Sequence, residues 1–139
     1  MWSVNASSQE DSGEGPVNGW AAAAIDNDVN SFWHSAWSQS SPDYPHWLSV
    51  DMGENVVVSR VELIGRQNKN DSFTDFVIEG SMDQTRWTEY GAFKMQSQNG
   101  PQNFVLMQTP TMRYIRITMK KGAANYAHLA EFSVFGQED

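Results

Sequence analysis

The chain has 139 residues, the length of one ordinary domain with a single hydrophobic core. It contains six Trp, seven Phe and four Tyr, no Cys, and a formal net charge of −8. The lack of cysteine excludes disulfide scaffolds, thiolate metal sites and cysteine nucleophiles. Because the nine basic residues are scattered, nucleic acid is not an expected partner, and an apolar run of the ~20 residues needed for membrane insertion is absent from the sequence.

The N-terminus lacks the basic and apolar regions of a secretion signal, so we expect an excised domain whose export signal has been removed. Residues 7–19 are rich in Ser, Glu, Gly and Asn, a composition typical of a loop. Residues 21–24 are four alanines and predict a single helical turn.

From residue 47 onward, short runs rich in β-branched and aromatic residues alternate with turn residues. This spacing predicts an all-β sandwich or barrel. Within residues 113–119, Ile115, Ile117 and Met119 share one face of a strand, which we predict to face the core. The predicted strands are 47–52, 56–65, 73–80, 87–93, 103–109, 113–119 and 131–135.

Several aromatic and basic residues are assigned to structural roles. We predict that Trp33, Trp47 and Trp87 belong mainly to the core, as large aromatic side chains often do. His128 precedes the last strand and is interpreted as structural. Arg113 and Arg116 are expected to pair with carboxylates such as Asp51.

Four segments carry a family resemblance: AIDNDVNSFW at residues 24–33, HWLSVDMG at 46–53, RYIRI at 113–117 and LAEFSVFG at 129–136. In this order they resemble the discoidin, or F5/8 type C, family and its carbohydrate-binding branch, the family 32 modules. The resemblance implies one domain over residues 1–139, folded as a jelly-roll β-sandwich of about eight strands with a galactose-binding-like fold. It also implies that loops at one end carry the ligand.

Alternating oxygen donors follow the helical turn. Asp26, Asp28 and Asn30 suggest an EF-hand, but Ser31 and Trp37 occupy the positions that need Gly and a bidentate Glu, so that motif is excluded. The family resemblance implies a structural Ca²⁺ site instead; the alternative is that these residues only make Asx turns and the distant carboxylate lies on a solvated face. The implied ligands are side-chain oxygens of Asp26, Ser31 and Glu131 and carbonyl oxygens of Ala23, Asp28 and Ala130.

A candidate sugar site follows directly. His34 and Trp37 offer an imidazole and an aromatic face within four residues, and Arg66 opens a polar loop. Galactose-binding relatives use a His, an aromatic three residues later and a more distant Arg, which implies a pocket at these three positions. The alternatives are a structural His34 beneath the loop and a Trp37 that only packs locally. Further contacts are predicted at Glu14, Trp20, Asn68, Asp71 and Tyr126.

Catalytic signatures such as Gly-x-Ser-x-Gly and His-Glu-x-x-His are missing from the sequence. We therefore predict a non-catalytic, Ca²⁺-stabilised module for terminal sugars of the galactose, GalNAc, GlcNAc or fucose type. We expect a monomeric part of a multimodular bacterial protein, such as a glycoside hydrolase or a surface glycan-utilisation protein, located extracellularly or at the cell surface. The alternative function is that of an extracellular discoidin domain that binds protein in adhesion.

Overall fold

Within residues 2–69 and 71–136, which a computed structural model of the chain describes, there are ten β-strands and one 3₁₀ helix. No helix in this part of the chain is long and apolar enough to cross a membrane. The 3₁₀ helix spans Ala21–Ile25, where the alanine run predicted a helical turn. The strands are β1 (Ser3–Ala6), β2 (Trp33–His34), β3 (His46–Val57), β4 (Arg60–Ile64), β5 (Phe73–Ser81), β6 (Thr88–Lys94), β7 (Gln102–Val105), β8 (Thr111–Gly122), β9 (His128–Leu129) and β10 (Glu131–Phe135).

Two sheets enclose the core. The larger sheet has the order β1-β3-β8-β5-β6, the smaller has β10-β4-β7, and β2 pairs with β9 in a short ladder of its own. The strand pairs in all three are antiparallel. The predicted all-β jelly-roll sandwich is confirmed, with ten described strands where the family resemblance implied about eight. The short strands β1, β2 and β9 have no clear sequence signal.

The register of the larger sheet follows from the alternation of apolar residues along its central strands. Leu48 lies opposite Ile117 and Val50 opposite Ile115, and all four side chains are buried. With Met119 they form one face, because successive side chains in a strand point to opposite sides. The core face predicted for residues 113–119 is thus confirmed.

The apolar run at residues 56–65 is not a single strand, so that prediction is wrong. β3 ends at Val57 and β4 begins at Arg60, in the other sheet. Between them, the Val58 amide donates to the Pro110 carbonyl at 2.9 Å and the Ser59 amide to the Phe135 carbonyl at 2.9 Å. Both sides of this crossing are rich in β-branched residues, so composition does not mark the break.

Only one of the three tryptophans assigned to the core is fully buried. Trp33 is 0% exposed, as predicted. Trp47 and Trp87 are half-buried, and their assignment to the core is wrong. Trp47 lies opposite Thr118, on the outer face of the larger sheet, because it is out of phase with the buried positions of β3.

Ion pairs link neighbouring strands on the outer face of the larger sheet. Arg113 Nε donates to Asp51 Oδ1 at 3.0 Å, which confirms the predicted pairing, and Arg116 Nε donates to Glu79 Oε1 at 3.0 Å. The Arg116 guanidinium also lies 4.1 Å from the centroid of the Trp87 ring. These bidentate and stacked contacts account for both arginines structurally.

Candidate ligand-binding site

The short β2–β9 ladder gathers three loops at one end of the sandwich. Trp33 pairs with Leu129 and His34 with His128. Ser72, just before β5, accepts a hydrogen bond from the His128 amide at 2.8 Å and donates to its carbonyl at 3.0 Å. The loops after β2, before β5 and before β9 therefore meet.

A polar cleft of about 460 Å³ opens between the loop before β5 and the loop before β9. Four of the predicted ligand contacts line it, from the segment after β4 and from the loop between β8 and β9. A cleft of this size accommodates a small hydroxylated molecule. Its lining residues are Arg66, Asn68, Lys69, Asp71, Tyr126 and His128.

Arg66 is held in place by two contacts. Its Nη2 lies 3.8 Å from Oε1 of Glu14, and its guanidinium carbon lies 4.0 Å from the centroid of the Phe32 ring. The Arg66 side chain is 21% exposed. Because an ion pair and a stacked ring both restrict the planar guanidinium, it faces the cleft in a fixed direction.

Trp37 joins the same network through its indole nitrogen. Nε1 donates to Oε2 of Glu14 at 2.9 Å, while 44% of the Trp37 residue remains exposed. A Cβ on Gly13 would lie 2.4 Å from the indole Cζ2 atom, so the ring packs directly on the backbone of the first loop. The Glu14 carboxylate thus connects Trp37 with Arg66, two residues predicted to share a pocket.

Glu10 fixes this arrangement, and sequence reasoning missed it. Its carboxylate accepts the amides of Trp37 at 2.8 Å, Ser38 at 2.9 Å and Gly13 at 2.8 Å, and also the Ser38 hydroxyl. Hydrogen bonds from Ser38 and Trp37 hold the pKa of Glu10 far below its ordinary value. Nothing in a Ser- and Glu-rich loop distinguishes such a residue from a solvated glutamate, so the sequence carried no signal for it.

The positions of His34 and His128 relative to the cleft differ from the prediction. His34 is buried, its ring centroid lies 5.3 Å from those of Tyr126 and His128, and its Nδ1 donates to the Ser35 carbonyl at 2.7 Å. It lies behind the cleft lining, whereas His128, interpreted as structural, belongs to that lining. Burial, His34 and Arg66 lower the pKa of His128 to about 3, so the ring is neutral, and among the described residues its Nδ1 has no hydrogen-bond partner.

Trp20 lies outside this network. Its side chain is exposed, and its carbonyl accepts the Ala23 amide at 3.0 Å at the start of the 3₁₀ helix. None of its described contacts joins it to the cleft residues. Its role as a sugar contact stays a prediction.

Two carboxyl groups face each other beside the 3₁₀ helix. Asp26 Oδ1 and Glu131 Oε1 both accept the Asp28 amide, at 3.0 and 3.1 Å, and the Ser31 hydroxyl donates to Asp26. Burial and the neighbouring Asp26 raise the pKa of Glu131 to about 8. Despite its partial burial, hydrogen bonds from its neighbours lower the pKa of Asp26, so the proton of the pair resides on Glu131.

This donor set suits a hard divalent cation. Among the described residues, no cluster of three or more His, Cys, Asp or Glu side chains has metal-binding geometry. The two carboxyl groups and the Ser31 hydroxyl would therefore need backbone oxygens to complete a calcium shell of six to eight donors. The remaining predicted ligands, the carbonyls of Ala23, Asp28 and Ala130, are of that kind.

Two packed antiparallel sheets with a cleft built from loops at one end define a discoidin-like β-sandwich. The chain belongs to the F5/8 type C domain family, whose model matches residues 3–132. It is similar to the C-terminal domain of a chitobiase from Bacteroides fragilis, at 30% identity and a TM-score of 0.90, over 98% of this chain and 93% of that domain. It is also similar to the family 32 carbohydrate-binding module of Clostridium perfringens NanJ in complex with galactose, at 26% identity and a TM-score of 0.80, over 96% and 92% of the two chains.

Two glycosidases contain related segments. A sialidase of Micromonospora viridifaciens is 32% identical over 125 residues, which are 86% of this chain and 19% of the sialidase. A lacto-N-biosidase of Bifidobacterium bifidum is 40% identical over 67 residues, which are 46% of this chain and 6% of that protein. The chain thus spans at most about a fifth of these relatives' length.

Proposed function

We propose that this domain is a non-catalytic carbohydrate-binding module that recognises galactose-type or related terminal sugars through the loops at one end of the sandwich. The observation that carries the proposal is the exposed Trp37 indole, tied by Glu14 to Arg66 at the rim of a polar cleft. Sugars present an apolar C–H face that stacks on an aromatic ring, and hydroxyls that pair with planar polar groups.

Each group has a distinct task in this proposal. Trp37 supplies the stacking face, and Arg66 donates hydrogen bonds to neighbouring hydroxyls. Asn68 and Asp71 also line the cleft, where an amide and a carboxylate pair with further hydroxyls. Tyr126 is fixed because the Tyr44 hydroxyl donates to its carbonyl at 2.6 Å, so it forms a rigid wall.

The comparisons support the wider setting of the proposal. The NanJ module is described in complex with galactose, and the two relatives matched by sequence are a sialidase and a lacto-N-biosidase. On this basis we propose that the domain is an accessory part of an extracellular or surface-attached bacterial protein that acts on glycans; that it is monomeric is a further part of the proposal. It delivers its parent protein to a sugar chain, with weak affinity per site and tighter attachment when several modules act together.

A structural Ca²⁺ is part of the proposed function. It would be held by Asp26, Ser31 and Glu131 and by carbonyl oxygens from Ala23, Asp28 and Ala130. The ion would supply positive charge to two facing carboxylates. Asp26 then stays attached to β10 through Glu131, which fixes the loop that leads into β2.

Isothermal titration calorimetry with galactose, GalNAc, GlcNAc and fucose tests the sugar site. We expect micromolar to millimolar binding to at least one of them, and at least about tenfold weaker binding in Trp37→Ala. Trp2→Ala is the matched control, because Trp2 is 37% exposed and lies beside β10, away from the cleft. Equal binding by Trp37→Ala and the wild type, or no binding to any of these sugars, would contradict the proposal.

A further inference from the structure

We infer that Glu14 makes this site selective for uncharged sugars, by occupying the Arg66 guanidinium and placing a negative charge at the rim of the cleft. The inference rests on the proposed function and adds the class of sugar that the site rejects. Uronic acids and other sugars with a carboxylate would be excluded, although the site contains an arginine, the residue best suited to carboxylate recognition.

The charges at the cleft are balanced. Arg66 and Lys69 contribute two positive charges, and Asp71 and Glu14 two negative ones. Arg66 is already engaged by Glu14 at 3.8 Å, and the whole chain carries a formal net charge of −8. An anionic sugar therefore meets no net positive charge at the cleft and no favourable long-range field.

Glu14 cannot turn away from Arg66 without losing a second contact. Its Oε2 accepts the Trp37 indole proton at 2.9 Å while Oε1 faces Arg66, so the carboxylate bridges the stacking residue and the guanidinium. Turning it away would break the indole hydrogen bond and release Trp37. The Glu14 side chain is only 16% exposed, so solvent screens its charge incompletely.

Uncharged sugars are not repelled by the Glu14 carboxylate. A neutral hydroxyl accepts from the Arg66 fork or donates to Glu14 without displacing the ion pair. Galactose and galacturonate are the appropriate probes, since they differ only in whether C6 is a hydroxymethyl or a carboxylate group. The ratio of their affinities isolates the effect of charge from the effect of ring shape.

The test measures this ratio at pH 7 and constant ionic strength in the wild type, Glu14→Gln and Asp11→Asn. Gln keeps an acceptor for the Trp37 indole but removes the charge. Asp11 is an exposed carboxylate of the same loop that accepts a hydrogen bond from Gln9, and its substitution gives the same change in net charge. We expect a galactose preference of at least about tenfold in the wild type, a shift of about tenfold toward galacturonate in Glu14→Gln, and little shift in Asp11→Asn.

Two results would overturn the inference alone: equal binding of galactose and galacturonate by the wild type, or equal shifts in the Glu14 and Asp11 variants. If Glu14→Gln loses galactose binding, the tryptophan fluorescence and the melting temperature show whether the variant is folded, and galacturonate binding is the remaining readout. A wild type that binds no neutral sugar would instead contradict the proposed function itself.

Discussion

Arg66→Ala removes the guanidinium on which the sugar assignment depends most directly. The substitution deletes the donors at the cleft, the ion pair with Glu14 and the contact with the Phe32 ring. A hydrogen bond from a charged group contributes about 1.5–3 kcal/mol. If one such bond to the ligand is lost, we expect affinity to fall about ten- to hundredfold.

The same substitution has a smaller cost for the fold. The stacked contact with Phe32 contributes about 0.5–1 kcal/mol and the partly exposed ion pair at most about 1 kcal/mol. We therefore expect about 1–2 kcal/mol of lost stability, seen as a melting temperature lower by several degrees. Because this leaves the protein folded at room temperature, binding and stability can be measured on the same sample.

Calorimetric titration with the best-bound sugar and thermal unfolding together form the assay. Arg66→Lys keeps the charge but not the planar fork, so we expect it to recover stability more than affinity. Arg86→Ala is the control, because Arg86 is exposed in the loop after β5, at the opposite end of that strand. Affinity within about twofold of the wild type in Arg66→Ala would refute the reasoning, since even a neutral hydrogen bond contributes more than that.

Two further predictions concern carboxylates. Adding Ca²⁺ should raise the free energy of unfolding by RT ln(1 + [Ca²⁺]/Kd), which is measured as a higher melting temperature, and chelation should reverse the effect. In calorimetry, Glu131→Gln should show no Ca²⁺ dependence. A dependence that persists in this variant would place the ion elsewhere. Glu10 has a folded-state pKa far below its unfolded value of about 4.3, so it stabilises the fold above that pH and the contribution is lost as the pH falls. Acid unfolding followed by circular dichroism should be shallower in Glu10→Gln, and an unchanged curve would show that this carboxylate does not carry the effect.

Alternation and family motifs were sufficient to predict the sandwich. The phase of Ile115, Ile117 and Met119 gave the core face of β8, because side chains alternate strictly along a strand. The same rule places Trp47 on the outer face, because it is out of phase with the buried Leu48, and the size of an aromatic side chain does not by itself indicate burial. The end of β3 at Val57 is not visible in the composition, because strands of both sheets favour the same residue types.

The candidate site was predictable only in part. Trp37, Arg66 and Glu14 are all predicted site residues, but the role of Glu14 as the common partner of the other two depends on contacts between distant loops. Glu10 is similar, because its hydrogen bonds go to backbone amides that any sequence would supply. His128 reaches the cleft through its pairing with His34, a register that spacing along the chain does not reveal.

The buried Glu10 carboxylate fixes only one side of the cleft rim, which consists of the first loop and the segment carrying Trp37. It locks the first loop to the segment carrying Trp37, without touching the segment after β4. In the proposed sugar site, exchanges at Asn68, Lys69 and Asp71 would therefore change which glycan is accepted while the segment carrying Trp37 stays in place. For protein engineering, replacing the segment after β4 alone is the simplest way to alter the proposed sugar specificity.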